Sequence, residues 1–218
     1  MKAGDDTEKL YNNKASFYQK VFIGFLNWGK ELDKFFRKNE YLKANMKILD
    51  AGCGTGVVTK TLYQIANQKG YTGIRFYGFD LSENMLKIFQ QWITLVNADN
   101  IELAKANVLD AESLPIGWNS FDLIVSSTML EYLPRDKVKD ALYTMRKMLK
   151  PEGKMVVIIT KRNLLTALIA GKWWKANLYK KAEIKQAFND AGLEKIEFRK
   201  FSFTWSSAII VIEGKKEK

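Results

Sequence analysis

Three glycines at alternate positions after a short apolar run constrain the fold of this chain more than any other feature. Residues 46–52, MKILDAG, read as a buried strand that ends in an aspartate and a glycine. Gly52, Gly54 and Gly56 follow, and glycine lets a ligand approach main-chain N–H groups with no Cβ in the way. A tight strand–helix turn would need only one glycine. The spacing therefore predicts a ligand-binding loop, with Thr55 or the glycines capping a helix that runs to about residue 67.

Strands and helices then alternate along the chain. Apolar segments predict strands at 74–80, 100–108, 121–127 and 154–160, with a turn at 151–153. Ser82 is expected to cap a helix to about residue 96, and Pro134 to begin a helix that ends near residue 149. Short apolar strands separated by helices are typical of a parallel sheet that is covered on both faces.

The C-terminal part departs from this alternation. A helix at 181–191 stops at Gly192, and two strands at 193–203 and 206–214 follow with only a short connection between them. So short a connection requires antiparallel pairing. The predicted fold is α/β: a Rossmann-like, seven-stranded, mostly parallel sheet with helices on both faces, its last strand antiparallel. Residues 7–38 predict two helices that break near residues 23–24 and form an N-terminal helical lid.

Composition excludes several classes of function. The chain of 218 residues has no histidine and one cysteine, so catalysis by a histidine base, His-liganded zinc and an internal disulfide are all ruled out. No apolar stretch has the length of a signal peptide or a membrane span, which predicts a cytoplasmic protein. The net charge of +11 favours anionic partners or only solubility, because the basic residues are scattered.

The ligand of the glycine loop is narrowed by what the loop lacks. A dinucleotide fingerprint needs glycine where this chain has Val57, and no P-loop lysine follows. The stretch 49–56, LDAGCGTG, instead resembles the first motif of class I S-adenosylmethionine-dependent methyltransferases. The resemblance implies S-adenosylmethionine as cofactor. It implies that Asp50 orients the methionine amino group through a water. It also implies that Ala51, Gly52, Gly54 and Gly56 lie beneath the methionine and ribose.

Two later motifs resemble those of the same family. Asp80, in GFDLS, can accept two hydrogen bonds from a ribose diol, with a helix cap as the alternative, and Leu81 follows it beside the cofactor. In DAESLP the resemblance implies that Asp110 accepts from the adenine amino group and that the Ala111 N–H donates to a ring nitrogen; a solvated turn is the alternative. Ser126, at the end of the fourth strand, is the last predicted cofactor contact. The segment 149–157, LKPEGKMVV, also resembles the family, but it is informative about the fold and not about the chemistry.

The acceptor site carries no diagnostic residue. The segment after Ser126 lacks the Asn/Asp-Pro-Pro-Tyr/Phe run of enzymes that methylate adenine amino groups or protein glutamine. Residues 130–133, LEYL, resemble a stretch of small-molecule methyltransferases. This makes Glu131 and Tyr132 candidate catalytic residues, or else surface residues. The opening at 11–18 is similar to that of quinone- and lipid-modifying members, so Tyr18 is a third candidate, with helix packing as its alternative.

The sequence predicts a single domain, with a lid at 1–42, a cofactor-binding core at 43–160, and an insert plus antiparallel strands at 161–218. The insert at 161–175 carries an apolar run and two tryptophans, which suits a lid, contact with a membrane surface, or core.

The predicted activity is in-line methyl transfer to a small apolar or lipid-like acceptor, without a metal. An RNA or protein methyltransferase and a non-catalytic cofactor-binding scaffold are the alternatives. Nucleic acid is disfavoured as a partner because no basic stripe is interleaved with aromatic residues.

Overall fold

The structure is a computed structural model that describes residues 28–163, 166, 176–201 and 205–217. Two compact units are present, Met1–Pro115 and Ile116–Lys218. The predicted helix break near residues 23–24, Tyr18, and most of the insert at 161–175 lie outside the described residues. No helix within the described ranges is long and apolar enough to cross a membrane.

The described part of the first unit, residues 28–115, contains three parallel strands in the order β3-β2-β1 and three α-helices. Leu49 of β1 lies opposite Tyr77 of β2, and Tyr77 lies opposite Glu102 of β3. Parallel strands end at a common edge, so the residues that follow β1 and β2 are brought together. The elements are α1 (Trp28–Lys38), β1 (Lys47–Ala51), α2 (Val57–Gln68), β2 (Arg75–Asp80), α3 (Glu83–Leu95) and β3 (Ile101–Lys105).

The helix starts in this unit follow from local chemistry. Ser82 caps α3 as predicted, because its hydroxyl accepts from the Met85 backbone N–H at 3.4 Å. Gly56 occupies the capping position of α2, with a φ of 83° and no side-chain cap. Of the two predicted caps for α2, the glycine is therefore correct and Thr55 is not.

Among its described residues, the second unit has four strands in the order β4-β5-β7-β6. β4 pairs with β5 in parallel, whereas β7 is antiparallel to both β5 and β6, as predicted. The elements are β4 (Phe121–Ser127), α4 (Val138–Met148), β5 (Leu149–Thr160), α5 (Lys181–Asp190), β6 (Glu194–Arg199) and β7 (Ile209–Lys215).

Several predicted boundaries differ from the structure. α4 begins at Val138 rather than at Pro134, because Pro134 has an extended ψ of 138° and a 3-10 turn, Arg135–Lys137, comes first. The predicted turn at 151–153 lies inside β5, where the pairing with β4 shifts register between Phe121 and Leu123. The third strand is shorter than predicted and ends at Lys105.

Taken in order, the strands form the seven-stranded sheet β3-β2-β1-β4-β5-β7-β6. Its mostly parallel arrangement with the antiparallel β7 confirms the predicted fold class. The predicted N-terminal lid, residues 1–42, lies largely outside the described residues, and α1 is the helix within its described part.

Gly56 is fixed by two constraints that act together. Its φ of 83° lies in the left-handed region, which a residue with a Cβ rarely adopts. A Cβ placed on Gly56 would also lie 2.4 Å from the ring of Phe89, a fully buried side chain of α3. The close approach of α2 to α3 therefore requires glycine here.

We expect Gly56→Ala to lower the free energy of unfolding by about 2–4 kcal/mol, through the left-handed backbone and the overpacked contact with Phe89. Gly70→Ala is the matched control, because Gly70 has a φ of 68° but no atom within 4 Å of the position that a Cβ would occupy. Urea unfolding of both variants separates the loss of stability caused by the contact with Phe89 from the loss caused by the left-handed backbone. Equal losses in the two variants would contradict the contact with Phe89.

Candidate functional site

The loop after β1 is a turn that three glycines make possible. Gly52, Gly54 and Gly56 have φ values of 72°, 52° and 83°, so all three adopt the left-handed conformation. The Gly56 N–H donates to the Cys53 carbonyl at 2.8 Å and closes the turn before α2 begins. The alternate spacing of the glycines is thus a backbone requirement at each position.

The turn is held against the end of β2 by main-chain hydrogen bonds. The N–H groups of Gly52 and Cys53 both donate to the Phe79 carbonyl, each at 2.9 Å. The next N–H of the turn, that of Gly54, donates to Oδ2 of Asp80 at 2.8 Å. A Cβ on Gly54 would meet no atom within 4 Å, so its Cα faces open space. The turn is therefore rigid on one side and accessible on the other.

Asp80 links the glycine turn to the start of α3. Its Oδ2 accepts from Gly54 and its Oδ1 accepts from the Ser82 N–H at 2.8 Å. Burial raises the pKa of Asp80, and the N–H groups of Ser82, Gly54 and Leu81 oppose that rise by donating to the carboxylate. A carboxylate can accept about four hydrogen bonds, so Asp80 retains acceptor capacity for a ligand hydroxyl group.

Asp50 lies beneath the turn in β1 and is buried. Its Oδ2 accepts from the Thr59 hydroxyl at 2.8 Å and from the Thr59 N–H at 3.2 Å. Burial raises the pKa of Asp50 to about 7, against the hydrogen bonds from Thr59. The role of Thr59 was not predicted from the sequence. It could have been inferred, because an acid inside a buried strand needs a hydrogen-bond donor and the first turn of α2 lies close enough in sequence to supply one.

Asp110 follows β3 and caps a short turn. Its Oδ1 accepts from the Glu112 N–H at 3.2 Å, and the 3-10 turn Ala111–Ser113 follows. Asp110 and Ala111 are both exposed. The Ala111 N–H is the first of the turn and has no carbonyl acceptor within it, so it is available to a ligand.

The end of β4, in the second unit, carries buried hydroxyl groups. Ser126 is 1% exposed, and neither its Oγ nor that of Ser127 has a hydrogen-bond partner among the residues that the structure describes. Thr128 follows with a φ of 58°, which is strained for a β-branched residue. Buried polar atoms and strain of this kind gather where a ligand or a catalytic geometry compensates them.

Glu131 is buried beside the end of β5. Its Oε2 accepts from the Thr160 N–H at 2.8 Å and its Oε1 accepts from the Thr160 hydroxyl at 3.1 Å. Burial raises the pKa of Glu131 to about 7, and the two bonds from Thr160 oppose that rise. Of the two interpretations of Glu131, a surface residue is wrong, since the side chain is 3% exposed.

The structure says less about the two tyrosines that the sequence predicts as catalytic. Tyr132 is half-buried in the 3-10 turn Leu130–Tyr132, and Tyr18 lies outside the described residues. In the part of the chain that the structure describes, no group of three or more histidine, cysteine, aspartate or glutamate side chains could hold a metal ion. The first unit thus brings the predicted residues of the glycine turn together with Asp80.

Comparison with known proteins gives a consistent family. Residues 48–153 match a methyltransferase domain family. A demethylmenaquinone methyltransferase from Staphylococcus haemolyticus is 29% identical, over 91% of this chain and 90% of that protein. A demethylmenaquinone methyltransferase from Staphylococcus carnosus is 26% identical, over 98% of this chain and 94% of that protein.

A solved structure agrees in fold. An S-adenosylmethionine-dependent methyltransferase from Clostridium acetobutylicum superposes with a TM-score of 0.71 at 17% identity, covering 95% of this chain and 99% of that chain. The chain is a class I S-adenosylmethionine-dependent methyltransferase. S-adenosylmethionine is accordingly its cofactor.

The first unit of this methyltransferase suits that cofactor. The open space at Gly54 admits a ligand against the backbone, where any side chain would project into its path. The carboxylate of Asp80, held by backbone N–H groups, retains acceptor capacity for a ribose hydroxyl. These groups therefore fit an adenosine with a methionine tail.

We expect Gly54→Ala to weaken the binding of S-adenosylmethionine by at least about tenfold, or about 1.4 kcal/mol, because its methyl group would occupy the open side of the turn. Gly70→Ala again serves as the control, since both glycines have positive φ and open space where a Cβ would lie. Both variants should lose about 1 kcal/mol of stability from the left-handed backbone. Calorimetric titration should show weaker binding only for Gly54→Ala, and unchanged binding would exclude the open side as the cofactor cradle.

We expect Glu131→Gln to remove part of the pH dependence of stability. The folded-state pKa of about 7 lies above the ordinary glutamate pKa of 4.5, so the folded chain holds a proton that the unfolded chain has lost. Stability therefore falls as the pH rises from about 4.5 through 7. Glutamine carries no charge, so at pH 8 the variant should be more stable than the wild type, by at most about 3 kcal/mol.

Urea unfolding at pH 5 and pH 8 tests this expectation. Glu194→Gln, at an exposed position of β6, is the control and should change neither value. A Glu131→Gln variant that loses as much stability as the wild type between the two pH values would show that Glu131 is ionised throughout.

Proposed function

We propose that this methyltransferase transfers the methyl group of S-adenosylmethionine to a carbon or oxygen of a small, apolar, quinol-like acceptor. The observation that carries the acceptor class is the likeness to two demethylmenaquinone methyltransferases, which spans 90% and 94% of those proteins. The likeness thus extends beyond the cofactor motifs over most of the chain, which supports an acceptor of the same class.

The cofactor contacts in this proposal come from three loops. Gly52, Gly54 and Gly56, with Ala51 before them, provide a backbone surface for the methionine and ribose, and Asp50 orients the amino group. Asp80 accepts from the ribose hydroxyls beside Leu81. The accessible positions of Asp110 and Ala111 support their pairing with the adenine ring.

The cofactor supplies an already activated methyl group on a sulfonium, so the chain has to position the acceptor in line and to exclude water. Methylation of a quinol releases one proton overall. The hydroxyl proton leaves as the oxygen or the ring carbon attacks the methyl group; after attack by carbon, the hydrogen of the methylated carbon is lost and the oxygen regains a proton. Glu131 is the proposed proton acceptor, because a carboxyl with a pKa of about 7 is matched to neutral pH. Tyr132 and Tyr18 are proposed as further residues at the acceptor.

We expect the wild-type protein to transfer a labelled methyl group from S-adenosylmethionine to reduced demethylmenaquinone, and to bind S-adenosylmethionine but not NADH. Asp80→Ala should weaken cofactor binding by about 10- to 100-fold, since it removes a charged acceptor of hydroxyl groups and releases the Gly54 N–H. Asp99→Ala, at an exposed position of the same unit, is the control. Calorimetry gives the affinities, and extraction of labelled quinone gives the activity.

Two outcomes would contradict different parts of the proposal. Tight cofactor binding without methylation of the quinol would remove the acceptor class and leave the cofactor site intact. Full cofactor affinity in Asp80→Ala would mean that this carboxylate does not contact the ribose.

A further inference from the structure

Tyr179 is a buried tyrosine to which no predicted role applies. It lies after the insert and pairs with Lys161 in a short parallel bridge beyond the end of β5. Its side chain is 4% exposed, and its hydroxyl oxygen has no hydrogen-bond partner among the described residues. A phenylalanine would fill the same space without burying a polar atom.

The ring of Tyr179 is held in place from one side. The guanidinium of Arg135 lies 4.8 Å from the ring centroid, and Arg135 also donates to the Leu178 carbonyl. Just before these residues, the Asn177 N–H donates to the Glu131 carbonyl at 2.7 Å. The Asn177 side chain donates to the Leu133 carbonyl at 2.8 Å. The segment is therefore fastened to the loop that carries Glu131.

The register of the strands places Tyr179 and Ser126 on the same face. Ser126 lies opposite Val157 in β5, and Tyr179 lies opposite Lys161, four residues further along the chain and one residue beyond the end of β5. Side chains of paired residues share a face, and residues an even number apart along a strand return to it. Two buried hydroxyl groups without partners thus follow one line on one face of the second unit.

Such an arrangement is costly unless something binds to it. A buried hydroxyl without a partner costs about 1–3 kcal/mol. Burial also raises the pKa of Tyr179, with Glu131 and Glu183 acting in the same direction and Arg135 against them, so the phenol stays a proton donor at neutral pH. The group is therefore a buried donor that no described residue satisfies.

We propose that Tyr179 is an acceptor-binding residue whose hydroxyl donates a hydrogen bond to a ring oxygen of an aromatic diol. This inference rests on the proposed function, because it takes the diol to be the quinol that receives the methyl group. Tyr179 holds one oxygen of the ring while Glu131, on the loop to which the Tyr179 segment is fastened, is the proposed acceptor of the proton.

The test is a cycle of two variants and two probes. Binding of 1,4-dihydroxynaphthalene, which has two ring hydroxyls, is compared with binding of naphthalene, which has none, under anaerobic conditions with S-adenosylhomocysteine present. Tyr179→Phe should weaken binding of the diol by about 3- to 10-fold and leave binding of naphthalene unchanged. The control Tyr143→Phe, at a half-exposed tyrosine of α4, should change neither affinity.

Each other outcome overturns the inference. Equal weakening of both probes would assign Tyr179 a packing role, and no weakening would exclude the hydrogen bond. A wild type that binds no diol would show that the site does not take this class of molecule. A Tyr179→Phe variant that loses more than about 1 kcal/mol of stability without ligand would show that the hydroxyl is satisfied within the protein.

The two proposals fail separately. If reduced demethylmenaquinone is not methylated but the diol still binds through Tyr179, the proposed reaction falls and the binding site stands. If the quinol is methylated and Tyr179→Phe retains the wild-type KM for it, the reaction stands and the assignment of Tyr179 falls.

Discussion

The carboxylate of Asp80 is the interaction on which the first unit depends. One oxygen holds the Gly54 N–H of the glycine turn and the other holds the Ser82 N–H at the start of α3, each at 2.8 Å. The end of β2 therefore fixes two loops at once, and it does so through a group that still has lone pairs to offer. The residue that holds the scaffold and the proposed ribose contact are the same side chain, so a change in the geometry of the turn would also change the proposed site.

The sequence predicted most accurately those features that a single residue type imposes on the backbone. The glycine turn, the Ser82 cap and the stop at Gly192 were correct, because left-handed residues and capping hydroxyls act locally. The predicted start of α4 was wrong. The fixed φ of proline is compatible both with a first helical turn and with an extended backbone, and Pro134 adopts the extended one. The burial of Glu131 was also beyond sequence reasoning, because its partner Thr160 is supplied by a distant strand.

The second unit solves a different problem, at the place where β4 stops and β5 continues. The Thr128 N–H donates to the Ile158 carbonyl, and beyond that point β5 would lack a neighbour on its β4 side, because β7 pairs only with the opposite edge. The Glu131 carboxylate takes the Thr160 N–H, and the Tyr179 N–H approaches the Thr160 carbonyl at 3.4 Å. A side chain and a returning segment together complete the edge of the strand, which satisfies backbone groups that would otherwise be buried without partners.

The position of β7 between β5 and β6 has a consequence for the order of assembly during synthesis. β6 precedes β7 in the chain, yet its strand partner is β7. When β6 leaves the ribosome it has no neighbour to pair with, and the edge of β5 stays open until Ile209–Lys215 has been made. The four-stranded half of the sheet therefore closes in a late step, and until then a nascent chain exposes two strand edges that are prone to wrong pairing.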